Sequence, residues 1–151
     1  MTASTAELGE HECWMLLRQA RVGRLAIAVG GAPDVFPVNH VVDHGTIVFR
    51  TAEGTKLAAL ATQPSVAFEV DGYDQETNQA WSVVVKGRAG EVRDQYEQLD
   101  VESLEVTPWH AGAKDRFVRI EPLEVTGRRF EVTDPNSWSS VLTGRPRTEL
   151  D

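Results

Sequence analysis

Short β-type segments that follow one another with only turn residues between them limit this chain to an antiparallel sheet. VGRLAIAV, DVFPVNHVV and TIVFRT are separated by GGAP and DHG, which are too short for a parallel crossover. SVAFEV, WSVVVKGRAGEV and RFVRIEPLEVTGRRF add three more segments later in the chain. Six strands without βαβ alternation predict a mainly β, antiparallel barrel or sandwich. We favour a closed six-stranded barrel, because Gly23, Gly87 and Gly90 lie where strongly coiled strands bend or bulge.

Short helical segments are predicted to flank these strands. An amphipathic pattern from about Glu7 to Ala20, with Ser4 or Thr5 as its cap, predicts the first helix. AEGTKLAALATQ predicts a second helix that starts near Thr55 or Lys56, and RDQYEQLDVESLE predicts a short third one. We expect one folded domain over residues 1–134 and an irregular tail over residues 135–151.

Composition and charge exclude several classes of function. A formal charge of −8 disfavours nucleic acid as a partner, because its phosphates must be neutralised by lysine and arginine. No apolar run approaches the ~18–20 residues of a membrane span, and the N-terminus lacks a secretory pattern, so we expect a cytoplasmic protein. Cys13 is the single cysteine and the four histidines lack metal-ligand spacing, so the sequence predicts neither a disulfide nor a metal site.

The stretch FRTAEGTKLAAL places one of only three lysines at the predicted start of the second helix. The first turn of a helix presents backbone N–H groups and a partial positive charge that suit a phosphate. Lys56 adds a full charge, Thr55 a hydroxyl donor and Arg50 a guanidinium. The same residues also fit a plain helix start, in which Thr55 caps the helix and the cations balance carboxylates such as Glu53. The local pattern leaves both interpretations open.

Six segments of the chain carry a resemblance to a known family when they are taken in order. They are VGRLAIAV, DVFPVNHVV, IVFRTAEGTKL, PSVAFEVDG, WSVVVKGRAGEV and PWHAGAKDRFVRIEPLEVTGRRF. This ordered set, over roughly residues 8–130, resembles the pyridoxamine 5′-phosphate oxidase-like flavin-binding split barrels, in particular the small single-domain branch that includes nitroimidazole-resistance-type proteins. In that family FMN lies at the interface of a homodimer. The resemblance therefore implies a split β-barrel, a homodimer and bound FMN.

The resemblance also implies particular cofactor-binding residues. The strand-to-helix segment of that family meets the flavin phosphate, and the matching residues here are Arg50, Thr51, Thr55 and Lys56. Backbone groups of the strand that matches FPVNH meet the flavin ring, and the residues that this implies are Val38, Asn39 and His40.

The FPVNH strand can also be interpreted from its residues alone. Two polar residues in a hairpin, Asn39 and His40, are then expected on its solvated face. Pro37 cannot donate to a β-ladder, so the strand is predicted to be an edge, bulged or interrupted there. His40 could instead ligate a haem iron or donate a proton to a substrate, since neutral imidazole serves either purpose.

Trp109 is a further candidate, because it follows Pro108 in a loop that a dimer could place over the partner's flavin. An indole at this position could equally plug the core beneath the loop. The sequence leaves these two roles open.

The implied activity is flavin-dependent reduction of a small redox-active compound. Full pyridoxamine phosphate oxidases use an arginine- and histidine-containing C-terminal segment on their substrate, and GRRF and TGRPRTELD match it poorly, so vitamin B6 oxidation is not expected. No catalytic side chain is predicted, because the cofactor carries the hydride chemistry. Two alternatives remain, namely a deazaflavin-dependent reductase of the same fold and a flavin- or haem-binding module without turnover.

Overall fold

The computed structural model describes residues 5–104, 106 and 116–132. The tail over residues 135–151 and the loop that carries Trp109 lie outside these described residues. Every predicted strand and helix within them is present in the predicted order. The elements are β1 (Thr5–Glu7), α1 (Glu10–Gln19), β2 (Val22–Val29), β3 (Ala32–Asp43), β4 (Thr46–Thr51), α2 (Thr55–Thr62), β5 (Ser65–Asp74), β6 (Gln79–Glu91), α3 (Gln95–Glu102) and β7 (Arg116–Glu131).

Two-residue turns join β2, β3 and β4. The β2–β3 turn consists of Gly30 and Gly31, and the β3–β4 turn consists of His44 and Gly45. All four residues have positive φ angles, between 49° and 83°. Positive φ at both central positions is the geometry of a type I′ turn, whose twist matches that of paired strands. The GGAP and DHG sequences therefore fix the antiparallel pairing locally.

The sheet closes into a barrel. Its strand order is β1-β7-β4-β3-β2-β5-β6, and β6 also pairs with β7. Strands β2 to β7 thus form a closed, six-stranded antiparallel ring, which confirms the predicted barrel and excludes the sandwich. All strand pairings among the described residues are antiparallel. No helix in the part of the chain that the structure describes is long and apolar enough to cross a membrane.

The predicted start of the first helix is wrong. Residues 5–7 form the short strand β1, which pairs with Arg128–Phe130 of β7, and α1 begins only at Glu10. Gly9 is the N-cap residue, instead of the predicted Ser4 or Thr5. The Leu8 N–H also donates to the Gly127 carbonyl, at 2.9 Å. Pairing with a strand about 120 residues away in sequence therefore overrides the local helical pattern.

Two apolar clusters hold the elements together. The main core fills the barrel and includes Leu16 and Leu17 of α1 and Leu60 of α2. Gly23 leaves space for the buried Phe68 ring, because a Cβ atom at this glycine would lie only 2.1 Å from the ring. A smaller cluster outside the barrel packs α3 and Val106 against β4 and β7. It comprises Val48, Val92, Val101, Val106 and Phe117.

Candidate functional site

The barrel is split where β3 parts from β4. The β3–β4 ladder pairs only His40–Asp43 with Thr46–Phe49. The rest of β3, from Asn39 back to Ala32, pairs with β2 on one edge. No other strand among the described residues pairs with its opposite edge. A gap therefore opens between this edge of β3 and the end of β4, where the chain turns into α2.

The open edge of β3 presents few hydrogen-bond donors. The His40 N–H donates to the Arg21 carbonyl beside β2, at 3.2 Å. Since backbone groups in an antiparallel ladder alternate between the two neighbours, those of Asn39, Pro37, Val35 and Pro33 face the split. The two prolines have no N–H, and the Val35 N–H is taken by the Asp34 carboxylate at 2.9 Å. The prediction that β3 is an edge at Pro37 is confirmed, and within this stretch Asn39 offers the N–H to the split.

The α2 N-terminus lies on the other side of the split and has no side-chain cap. Gly54 is the N-cap residue, with φ 157° and ψ −159°, a conformation that is largely confined to glycine. Thr55 is the exposed first helical residue, and no side chain caps this end of the helix. The interpretation of Thr55 as the helix cap is therefore wrong. The first i to i−4 hydrogen bond runs from Ala58 to Gly54, so the N–H groups before Ala58 precede the helical ladder.

Lys56 and Phe36 meet across the split. The Lys56 Nζ atom lies 4.5 Å from the centroid of the Phe36 ring, which belongs to β3. Phe36 in turn packs against the barrel core. A cation over an aromatic face is attracted by the ring quadrupole, so this contact favours a position of the Lys56 ammonium group beside the open edge.

Arg50 and Thr51 point to opposite faces of β4, as successive strand residues do. The Arg50 guanidinium lies on the outer face, 5.3 Å from the centroid of the Phe117 ring, and donates to the Val106 carbonyl at 3.3 Å. Thr51 is buried, and its hydroxyl donates to the neighbouring Ala52 carbonyl at 3.4 Å. The predicted phosphate residues thus lie along one strand-to-helix connection, but the side chains of Arg50 and Thr51 point to different faces of β4.

Arg116 belongs to the same region and was missed by the sequence analysis. It is the first residue of β7 and pairs with Thr51. Its guanidinium donates to Glu91 at 2.8 Å and lies 3.7 Å from the Glu53 carboxylate. Burial raises the pKa of Glu91, but hydrogen bonds from Arg116 and Arg93 outweigh it and hold that pKa below its ordinary value. Only the pairing of β4 with β7, far apart in sequence, brings Arg116 here, so no local pattern could have found it.

His40 is buried, so its predicted position on a solvated hairpin face is wrong. Its side chain is 6% exposed, and its ring meets the edge of Phe68 with 4.8 Å between centroids. The Nε2 atom donates to the carbonyl of Leu17, in the last turn of α1, at 2.9 Å. Burial lowers the pKa of His40, which favours the neutral imidazole. His40 therefore joins β3 to the end of α1, and the nitrogen that makes this bond is not offered to a haem iron.

Val38 and Asn39 occupy opposite positions in the same strand. Val38 is 3% exposed, and its side chain belongs to the barrel core. Asn39 is half-buried, and its backbone faces the split. Of the three residues expected to meet a flavin ring, Asn39 is thus the one whose backbone N–H is directed to the gap. Trp109 lies outside the described residues.

A closed antiparallel barrel that opens between two strands beside a cationic helix start is a split barrel. The chain belongs to the pyridoxamine 5′-phosphate oxidase family, because the model of the family with that description matches residues 9–129. The predicted family is thereby confirmed.

Solved structures from three organisms are similar to this chain. A candidate pyridoxamine 5′-phosphate oxidase of Corynebacterium glutamicum is 38% identical, with a TM-score of 0.77, over 85% of this chain and 100% of that one. The FAD binding protein of Mycobacterium smegmatis is 37% identical, with a TM-score of 0.69, over 84% of this chain and 99% of that one. A candidate 5-nitroimidazole antibiotic resistance protein of Bacteroides thetaiotaomicron shares the fold, at 18% identity and a TM-score of 0.68, over 86% of this chain and 90% of that one.

Proposed function

We propose that this protein binds a flavin by its phosphate at the split and uses it to reduce a small redox-active compound. The observation that carries the proposal is the position of Lys56. This residue lies in the first turn of α2, and its ammonium group contacts the Phe36 ring on the open edge of β3. Groups that suit an anion and groups that suit a planar hydrogen-bonding ring therefore lie on two sides of one gap. FMN combines both kinds of ligand group in one molecule.

The phosphate fits the α2 side of the split. The N–H groups of the first helical turn and the Lys56 ammonium group provide donors and positive charge. Gly54 has no atom within 4 Å of the position of a Cβ, so space remains beside the backbone there. Thr55 adds an exposed hydroxyl, and Arg50 adds charge from the outer face of β4.

The flavin ring fits the β3 side of the split. The pyrimidine edge of an isoalloxazine carries one N–H donor flanked by carbonyl acceptors. The Asn39 N–H can serve an acceptor of this edge, and the Pro37 carbonyl can serve its donor. Because prolines remove the N–H groups at positions 33 and 37, a competing β-strand would find few donors along this edge.

A bound flavin supplies the hydride chemistry, and the protein's own residues supply position and charge. Lys56 holds the phosphate end, and the Asn39 backbone fixes the orientation of the ring. The buried His40 side chain holds the adjacent Asn39 backbone in place, because it bonds β3 to the end of α1. The proposed reduction requires no proton transfer by a side chain of the site.

We also propose the homodimer that the family resemblance implies. Val22 and Val35 are 39% and 57% exposed on β2 and β3, next to the split. Exposed apolar side chains of this kind are suited to a subunit interface. Light scattering on the purified protein is expected to give twice the chain mass of 16.7 kDa, and Val35→Glu is expected to shift it toward the monomer.

The absorbance spectrum of freshly purified protein, with and without added FMN, tests the flavin proposal. We expect the visible bands of an oxidised flavin in the wild type and their loss in Lys56→Glu. Chromatography of the cofactor released by heat then identifies it, and FAD is the second candidate because the similar M. smegmatis protein is named for FAD binding. If the released cofactor is a deazaflavin, the proposal holds with that cofactor in place of FMN. A colourless protein that takes up none of these cofactors would refute it.

A further inference from the structure

The strand-to-helix connection between β4 and α2 holds an ion pair that bears on the proposed phosphate site. We propose that Arg116 is an additional phosphate-binding cation and that Glu53 competes with the phosphate for it. This inference rests on the proposed function, and it adds two residues that the family resemblance did not supply.

Arg116 is held at the connection from both sides. Its backbone pairs with Thr51, the last residue of β4, and Glu53 lies in the turn that leads from Thr51 to Thr55. One terminal nitrogen donates to Glu91 at 2.8 Å, and the other lies 3.7 Å from Glu53. The guanidinium therefore faces the turn that ends at the N-terminus of α2.

The two carboxylates have different roles. The Glu91 side chain is 8% exposed and has its pKa lowered by its arginine partners, so it anchors Arg116 as a charged group. The Glu53 side chain is 80% exposed and stands at the outer limit of an ion pair, where solvent screens the attraction. A phosphate monoester carries more negative charge than one carboxylate and offers three acceptor oxygens. It can therefore replace Glu53 on the outer nitrogen while Glu91 keeps its bond.

Substitutions of Arg116 and Glu53 should change FMN affinity in opposite directions. Arg116→Gln removes a charge-assisted hydrogen bond to the phosphate and should weaken FMN binding about tenfold or more. Glu53→Gln removes the competing carboxylate and should tighten FMN binding about two- to fivefold. Riboflavin, which lacks the phosphate, should bind all these variants equally.

Arg93→Gln is the matched control for Arg116→Gln. Arg93 also bonds to Glu91, at 3.1 Å, but its side chain is 78% exposed. Arg93→Gln therefore removes one positive charge beside Glu91, as Arg116→Gln does. We expect its FMN affinity to stay within about twofold of the wild type.

Calorimetric titration of the wild type and these variants with FMN and with riboflavin tests the inference. It is supported if Glu53→Gln tightens FMN binding and this gain disappears in the Glu53→Gln, Arg116→Gln double variant. It is overturned if Arg116→Gln matches Arg93→Gln, if riboflavin shows the same losses, or if Glu53→Gln leaves FMN affinity unchanged. Should Arg116→Gln fail to fold, the exposed Glu53→Gln variant decides alone. Wild-type protein that binds neither flavin would instead refute the proposed function.

Discussion

Replacing Lys56 by glutamine tests whether the ammonium group at the start of α2 holds a phosphate. The Nζ atom lies 4.5 Å from the Phe36 ring centroid, so it is already placed beside the split. Glutamine keeps a polar side chain of similar length and removes the positive charge. Lys86→Gln makes the same change of net charge at an exposed position of β6 and is therefore the control.

The substitution changes two free energies of different size. Loss of the ammonium–ring contact should lower the free energy of unfolding by about 0.5–1 kcal/mol. Loss of a charge-assisted hydrogen bond to the phosphate should cost about 1.5–3 kcal/mol of FMN binding free energy, which is roughly a 10- to 150-fold rise in Kd. A purely structural Lys56 would show the first effect without the second.

Urea unfolding and calorimetric FMN titration measure these two effects on the same protein samples. We expect Lys56→Gln to be slightly less stable and to bind FMN at least tenfold more weakly, while Lys86→Gln keeps the wild-type Kd within about twofold. Riboflavin affinity should be unchanged in both variants. Equal FMN affinities for Lys56→Gln and Lys86→Gln would show that this reasoning is wrong.

Three further predictions concern the fold around the site. Gly54→Ala should cost about 1–3 kcal/mol in urea unfolding, because φ 157° and ψ −159° suit glycine alone; an unchanged midpoint would contradict this strain. Gly23→Ala should cost about 1–3 kcal/mol, because its Cβ would lie 2.1 Å from the Phe68 ring, whereas Gly90→Ala, with nothing within 4 Å, should be close to neutral. His40 has a lowered pKa, so its contribution to the free energy of unfolding is present above about pH 6.5 and is lost as the pH falls below that value. His40→Gln should therefore show a smaller loss of stability between about pH 7.5 and 5.5, and an unchanged slope would contradict this.

The sequence predicts the parts of this fold that local chemistry determines. GGAP and DHG predict turns, and these turns place β2, β3 and β4 side by side with no need of distant contacts. The start of the first helix, by contrast, depends on the pairing of β1 with the far end of β7, which no window of neighbouring residues contains. A prediction from local periodicity therefore begins the helix too early, at a residue that belongs to β1.

The candidate site shows the same division. The strand-to-helix junction and its lysine are visible in FRTAEGTKLAAL, but the contact of Lys56 with Phe36 and the arrival of Arg116 depend on how the barrel closes. The burial of His40 was predictable in principle. Val38 lies two residues before it on the same face of the strand, so strand alternation places His40 inward.

A crystal structure of the protein with FMN shows where the phosphate lies, and it therefore tests whether the flavin binds at the split. We expect the phosphate at the first turn of α2, within hydrogen-bond distance of Lys56, and the pyrimidine edge of the ring along the Asn39 backbone of β3. Density for FMN elsewhere on the protein, or a phosphate without contact to α2, would contradict it.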